Sequence, residues 1–268
     1  MKIFILAFLS FLFFACKKNE ITFNPGILPD SIHAQYFIKN HLYIYDPGNN
    51  FNAKSKFEYY NSKIIKRSGA HLSSPYIPIG DYTDKIYDSV IYSNNKIWLF
   101  SFNKLFNPYP QPKKWEIELE GNKMTRRVNL LYHPTGDIPQ DTVLFFYDSN
   151  NRIKKIERHN SVPPDSYVYI RNFEFENDNL VKISGTYIHK PNTIRSTTEE
   201  LFSMYDNAPN PLKNSNFFLW DDLYYRTLSK NNFAKYSFVR YDTSNNIMES
   251  WLTIIPFFYD EKGNVRYN

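Results

Sequence analysis

Beyond residue 30 one pattern of apolar and polar positions recurs along the chain. An aromatic-rich run leads into a polar turn of Asn, Asp or Gly, followed by a branched aliphatic residue and alternating basic positions. It stands as FEYYNSKIIKR at 57–67, VIYSNNKIWLF at 90–100, IELEGNKMTRR at 117–127 and LFFYDSNNRIKKIER at 144–158. FEFENDNLVKISG at 173–185, FVRYDTSNNIMES at 238–250 and FFYDEKGNVRY at 257–267 complete the set. Asn and Gly tolerate the positive φ of the tight primed turns, and aromatic and β-branched flanks suit a pleated surface, so each copy reads as a β-hairpin. The turns recur roughly 18 to 65 residues apart, about 30 being commonest, the window that marks repeat architectures. A lone hairpin is marginal in water, so the units must pair side by side into one large antiparallel sheet. Its outer face would carry the long Lys and Tyr side chains, which cover apolar surface while keeping polar tips wet.

One segment breaks the period. Residues 216–228 read NFFLWDDLYYRTL, with Trp220, Leu223, Tyr224 and Leu228 at helical spacing and Asp222 four residues before Arg226. Asn216 stands where a cap is wanted, and Asn231-Asn232 where a helix would end. The pattern predicts one short amphipathic helix over one sheet face or closing its end. A helix lying in a membrane interface would want a lysine-rich polar face, which is absent. The fold expected is all-β: an elongated, curved antiparallel β-meander forming a single domain over 30–268, with one helix at about 216–228.

The N-terminus reads as an address. Lys2 precedes twelve apolar or small residues, and Ala15-Cys16 follows. Twelve helical residues reach about 18 Å, short of the roughly 30 Å hydrocarbon core, so 1–15 is a signal peptide rather than a membrane span. The small residue before Cys16 resembles the bacterial lipobox, where the chain is cut just before a diacylglycerol-bearing cysteine. Cys16 is the sole cysteine of the 268 residues, so it is the expected lipidation site and no internal disulfide can form. Residues 16–29, polar and punctuated by Pro and Gly, read as a tether. Two or more acyl chains give stable anchoring, and the absence of Asp after Cys16 favours the outer membrane. Lys17-Lys18-Asn19-Glu20 partly resembles the surface-export signal of Bacteroidota lipoproteins, leaving periplasm-facing and surface-exposed placements both open.

Composition narrows the chemistry. The net charge of +5 is spread thinly, so nucleic acid is not an expected partner. His33, His41, His71, His133, His159 and His189 form no helical i,i+4 pair and no HExxH motif. Asp81, Asp84 and Asp88 lack the spacing of a calcium loop, as do Asp221 and Asp222. No metal and no cofactor is expected, and no G-x-S-x-G elbow is present. Trp98, Trp115, Trp220 and Trp251 are the candidate surface for stacking sugars or peptides, the alternative being core and cross-strand packing. Ser31, Ser89 and Thr142 stand in Asp-Ser/Thr-aliphatic triplets, the pattern of O-glycosylation in Bacteroidota envelopes, and such hydroxyls must lie on exposed loops or strand ends.

Met204-Tyr205-Asp206-Asn207-Ala208-Pro209-Asn210-Pro211-Leu212 resembles the Tyr-Asp-x-x-x-Asn-Pro-Phe element of uncharacterised Bacteroidota lipoproteins. Leu228-Ser229-Lys230-Asn231-Asn232 resembles the Leu-Ser-x-Asn-Asn stretch that follows it there, and Tyr241-Asp242 and Tyr259-Asp260 resemble the hairpins after that. Leu212 departs from the usual Phe. The specific part spans about 141–268, and the hairpins are also distantly similar to YD-repeat β-sheet proteins. The resemblance implies a curved antiparallel meander and carries over no functional residue. The function expected is therefore a lipid-anchored, non-enzymatic envelope protein that meets the membrane through Cys16 and binds a glycan or protein partner. A glycan-processing enzyme, or an accessory subunit of one, and a purely structural envelope component are the alternatives.

Overall fold

The computed structural model describes residues 28–33, 54–71, 82–103, 112–160, 166–189, 193–213 and 215–267. Cys16, the signal peptide and most of the tether lie outside them. The described chain is a meander in which every strand pairs with its sequence neighbours. It begins with β1 (Ser31–His33), β2 (Lys54–Tyr60), β3 (Lys63–His71), β4 (Tyr82–Ser93) and β5 (Lys96–Asn103). It continues through β6 (Lys113–Glu120), β7 (Lys123–Leu131), β8 (Ile138–Tyr147), β9 (Ile153–Asn160) and β10 (Tyr167–Glu176). The sheet finishes with β11 (Asn179–His189), β12 (Thr193–Pro209), β13 (Asn231–Tyr241) and β14 (Ile247–Ile254). These form a single 14-stranded antiparallel sheet in chain order, open at both edges. A small separate hairpin follows, β15 (Phe258–Tyr259) with β16 (Val265–Arg266).

All seven repeated stretches are hairpins with their polar centres in the turns, and the turns come in two chemistries. Asn61-Ser62 and Asn177-Asp178 have positive φ at both central residues, the geometry of a type I′ turn. At Asp148, Asp242 and Asp260 the turn is longer. Each carboxylate oxygen Oδ1 accepts backbone N–H bonds from the residues two and four ahead, at 2.8–2.9 Å. The left-handed position in these three turns falls to Asn151, Asn245 and Gly263.

A bulge follows most turns and explains the imperfect alternation in the sequence. Phe146 pairs with Lys155 but Tyr147 with Ile153, which leaves Lys154 as an extra residue. The same slip occurs between Glu58 and Tyr59, Glu118 and Leu119, Glu174 and Phe175, and Arg240 and Tyr241. One inserted residue turns the remainder of a strand over. Ile153 and Ile156, three apart, are thereby both buried, as are Leu180 and Ile183. Tyrosines then tie hairpin to hairpin. The hydroxyl of Tyr92 donates to the carbonyl of Ile64, that of Tyr147 to Met124, and that of Tyr205 to Leu180. Burial pushes the Tyr147 and Tyr205 hydroxyls up from their ordinary values, so they remain donors.

The stretch 216–228 corrects one expectation. A continuous amphipathic helix does not form. Asn216–Leu219 and Tyr225–Thr227 are short 3₁₀ turns, and between them α1 is a single turn, Asp221–Tyr224. The chain is extended at Trp220, with φ −113° and ψ 127°, which breaks the helix where the indole turns aside. Leu219, Trp220, Leu223, Tyr224, Tyr225, Arg226 and Thr227 are all buried. A helix with one apolar stripe serves a one-sided packing surface; this segment is enclosed, so neighbouring residues are buried in succession.

What encloses it is the sheet. Trp220 meets Phe57 of β2 and the Arg67 guanidinium of β3, and donates to Asp88 of β4 at 2.6 Å. Asp221 pairs with Arg127 of β7, Tyr224 meets Phe145 of β8, and Tyr225 meets Phe202 of β12. In a flat sheet ten strand steps at about 4.8 Å would separate β2 from β12 by roughly 48 Å, whereas six helical residues advance about 9 Å. The sheet is therefore curled around the segment, more tightly than an elongated meander implies.

The two sequence elements that carried the family resemblance dock against each other and hold this insertion in place. Asn210 donates to the carbonyl oxygens of Arg226 and Ser229, at 2.5 and 2.9 Å, and accepts from the Leu212 N–H. Asp206 accepts from the backbone and side chain of Asn232, and Tyr267 donates to Asn232 at 2.7 Å. Arg226, buried, donates to the Phe233 carbonyl with its guanidinium 4.0 Å from the Phe233 ring centroid.

Candidate functional site

Residues directly opposite in an antiparallel pair share a face, and the registers divide the sheet sharply. The outward face carries ion pairs between strands: Lys66 with Glu58 at 2.5 Å, Lys96 with Glu116 at 2.7 Å, Arg126 with Glu118 at 3.2 Å and Lys182 with Glu199 at 2.5 Å. The inward face is layered along the strands. Nearest the tight turns it is apolar, with Ile117, Phe145, Ile156, Phe173, Ile183 and Phe202 buried against the inserted segment. The same face also carries arginines, Arg127 opposite Ile117 and Arg171 opposite Ile156.

The apolar layer opens at the turn end into a cleft of about 820 Å³ between the β6–β7, β8–β9 and β10–β11 turns and the insertion. Tyr147, Phe175 and Phe218 supply rings to its walls, and Tyr224, Thr227 and Leu228 lie on the side of the insertion. Three cations line it: Lys123, Arg152 and Lys213. The Lys123 ammonium lies 5.4 Å from the Tyr147 ring centroid and 2.5 Å from the Asn151 carbonyl oxygen. Arg152 lies 5.4 Å from the Phe175 centroid and bonds Asp148 at 3.0 Å. The backbone N–H groups of Arg152 and Asn150 hold the Asp148 carboxyl below its ordinary value, helped by the Arg152 side chain. Among the described lining residues Asp178 is the one carboxylate.

Beyond α1, on the side away from the turns, lies the arginine layer. Arg127 grips Asp221 with both terminal nitrogens, at 2.7 and 3.2 Å. Arg158 donates to Asp141 at 2.8 Å. Arg171 donates to the Tyr225 hydroxyl and lies 5.6 Å from the Tyr169 centroid. Arg240 donates to Ser196 at 3.2 Å and lies 5.9 Å from the Tyr187 centroid. Tyr187 stacks on Tyr167 at 4.5 Å. Burial alone would push the Asp221 carboxyl up; Arg127, with Arg171 and Arg158 beyond it, brings it below its ordinary value. Burial pushes the Glu200 carboxyl up, against the pull of Arg171 and the 2.7 Å bond from Tyr236.

The sequence-chosen residues are scattered over this framework. Trp98 faces outward and donates to Glu116 at 3.3 Å. Trp115 packs half-buried against the core, Trp220 is buried within it, and Trp251 stacks on Phe238 at 4.2 Å. Trp98 is thus on the opposite face from the other three, and no one surface presents all four. Ser31 begins the edge strand β1, while Ser89 and Thr142 lie half-buried within β4 and β8. The acids preceding these last two, Asp88 and Asp141, are the partners of Trp220 and Arg158. No group of three potential metal ligands occurs among the described residues, and none of their helices is long and apolar enough to cross a membrane. Arg127, Arg158 and Arg171 were not singled out by sequence, and Asp221 was weighed there only as a calcium ligand; the bulges that set which way the arginines point leave no local mark beyond a broken alternation.

No family model matches the chain, and no curated protein matches it. Among solved structures the chain is similar to a porin-like protein from Bacteroides vulgatus ATCC 8482, with TM-score 0.46 and 13% identity over 80% of this chain and 87% of that one. It is also similar to a porin-like protein from Bacteroides uniformis ATCC 8492, with TM-score 0.46 and 10% identity over 80% of this chain and 79% of that one.

Proposed function

We propose that this is an outer-membrane lipoprotein of the uncharacterised Bacteroidota family it resembles, anchored through Cys16, whose curled sheet is a non-enzymatic binding module. The observation that carries the binding reading is the 820 Å³ cleft at the turn end, walled by four aromatic rings and three cations. Concave, partly apolar sites with a few convergent polar groups are where small ligands and chain ends are held. A glycosidase needs two carboxylates flanking the scissile bond; the described lining offers Asp178 alone. Anchorage by lipid suits the outward face better than insertion of the sheet itself. A membrane-spanning strand wall needs an apolar band about 25 Å tall, and here that face carries Lys–Glu pairs between strands.

Two measurements test the reading. Cys16→Ser is expected to abolish palmitate labelling of the chain in cells; persistent labelling refutes the anchor. Saturation-transfer NMR of the acylated protein in detergent micelles, against neutral oligosaccharides and short peptides, is expected to show saturation of ligand protons that Phe175→Ala reduces. A Phe175→Ala protein that folds and gives an unchanged saturation pattern refutes the cleft.

A further inference from the structure

The arginine layer is a separate feature from the cleft, on the other side of α1. Four guanidinium groups, from Arg127, Arg158, Arg171 and Arg240, stand on one face of the curl. The acids nearest them are Asp221, Asp141, Glu200 and Glu249, the last opposite Arg240 in the register, and burial disfavours the ionised form of Glu200. Positive charge is in surplus there. The Nε of Arg171 is buried without an acceptor within hydrogen-bonding distance, as Oδ1 of Asp141 is without a donor.

The layer also shows which anion it accommodates. Arginine's planar fork matches a carboxylate bidentately, and Arg127 already holds one in that way. Its occupant is partly open to solvent. The Asp221 side chain is 52% exposed, while Arg127 is 15% exposed. The neighbours Trp220 and Leu223 are buried and hold the backbone, so rotation of the Asp221 side chain alone frees the fork, and no core contact opens. Arg158, 45% exposed, stands on the same face, since it and Arg127 both lie opposite Val143. Beside it the half-buried Tyr167–Tyr187 stack offers ring surface, with Tyr169 opposite Arg158 in the register. Aromatic faces accept the C–H face of a pyranose ring, and arginine forks accept its carboxylate; the two together describe an acidic sugar.

We infer that the inner arginine wall is a second binding site, one that takes a carboxylated saccharide in exchange for the Asp221 carboxylate. Asp221 is then a built-in competitor. It keeps the wall neutralised and folded when no ligand is present, and sets a threshold that only a ligand with a carboxylate of its own passes. Removing that competitor must strengthen binding, which a merely structural ion pair would not do.

The test is calorimetric titration of the full acylated chain with trigalacturonate, with neutral galactotriose and triglutamate as comparisons, and with Trp220 fluorescence read in parallel. Asp221→Asn is expected to tighten trigalacturonate binding by about tenfold, and Arg158→Gln to weaken it by at least as much, in line with removal of one charged partner. Lys182→Ala, on the outward face, is expected to leave it unchanged. Galactotriose is expected to show no component of binding that Arg158→Gln removes. An Asp221→Asn protein that binds no tighter than wild type overturns the exchange. No trigalacturonate binding by either protein overturns the site. Triglutamate binding as tightly as trigalacturonate, or an Arg158-dependent galactotriose component of equal strength, overturns the assignment to acidic sugars. Arg158 is nearly half exposed, so its replacement spares the core; a matching circular dichroism spectrum establishes that the variant is folded.

Discussion

The two faces of this sheet both carry charges and use them differently. Outside, the cations are mostly lysines: Lys66, Lys96, Lys155 and Lys182 pair with acids at side-chain exposures of about a third. Inside, most cations are arginines with a defined acceptor or ring: Arg67 on Ser55, Arg127 on Asp221, Arg158 on Asp141, Arg171 on Tyr225 and Arg240 on Ser196, while Lys123 lines the cleft at the turn end. Lysine ends in a strongly hydrated point charge and is best left wet, whereas the guanidinium plane is weakly hydrated and bonds directionally. The preference for arginine inside and lysine outside follows from that difference, with Arg126 outside and Lys123 at the cleft as exceptions.

That contrast can be strained from its strongest point. Phe233, fully buried between Phe202 and the Arg226 guanidinium, should cost about 3–5 kcal/mol when changed to Ala, measured by urea unfolding. Gly185→Ala comes next. An added Cβ would meet Thr198 Oγ1 at 2.1 Å and the Tyr169 hydroxyl at 2.6 Å, breaking the 2.8 Å bond between them, for about 1–3 kcal/mol. Arg127→Lys keeps the charge and loses the fork on Asp221, at a cost of about 1 kcal/mol. The outward Lys182→Ala, facing Glu199, should cost under about 1 kcal/mol and lose even that in high salt. An outward cost as large as that of Arg127→Lys would erase the distinction between the faces.

The smallest effect is a slope in pH. The Glu200 carboxyl is raised by burial above its ordinary 4.5, so the folded chain holds this proton where the unfolded chain has lost it. Its contribution to stability is complete below the ordinary carboxylate range and falls as pH rises through the raised value. Glu200→Gln retains an acceptor for Tyr236 and removes this slope. The variant is therefore expected to gain in thermal stability over wild type between pH 5 and pH 8; a parallel pair of curves would show that Glu200 ionises without penalty.

Much of the fold was legible in the sequence because turns are local. Asn61-Ser62, Asn177-Asp178 and the three Asp-led turns need residues that tolerate positive φ or accept backbone N–H bonds, and few residues do either. The inner arginines were not legible. Arg127 and Arg158 stand in the same alternating stretches as outward lysines, and only the bulges at Glu118/Leu119 and Phe146/Tyr147 decide which way each points. The insertion was misread for a related reason: Trp220, Leu223 and Tyr224 do fall at helical spacing, but their partners lie on β2, β4 and β8, and burial on all sides favours an irregular chain. The segment's own anchors, Asn210 and Asn232, were visible as a motif without their structural meaning, since each bonds to residues more than fifteen positions away.

A meander whose strands pair only with neighbours can zip from any hairpin, since each closure spans a short loop. The contact of Trp220 with Asp88 bridges 132 residues and imposes an order on the rest. Strands β2 to β4 are made first and can pair early, yet the interior they are curled to enclose arrives only when residue 220 does. A chain made N-terminus first would spend that interval with Phe57, Val90 and Arg67 facing water, so the first third of the sheet is where a chaperone would have most to hold.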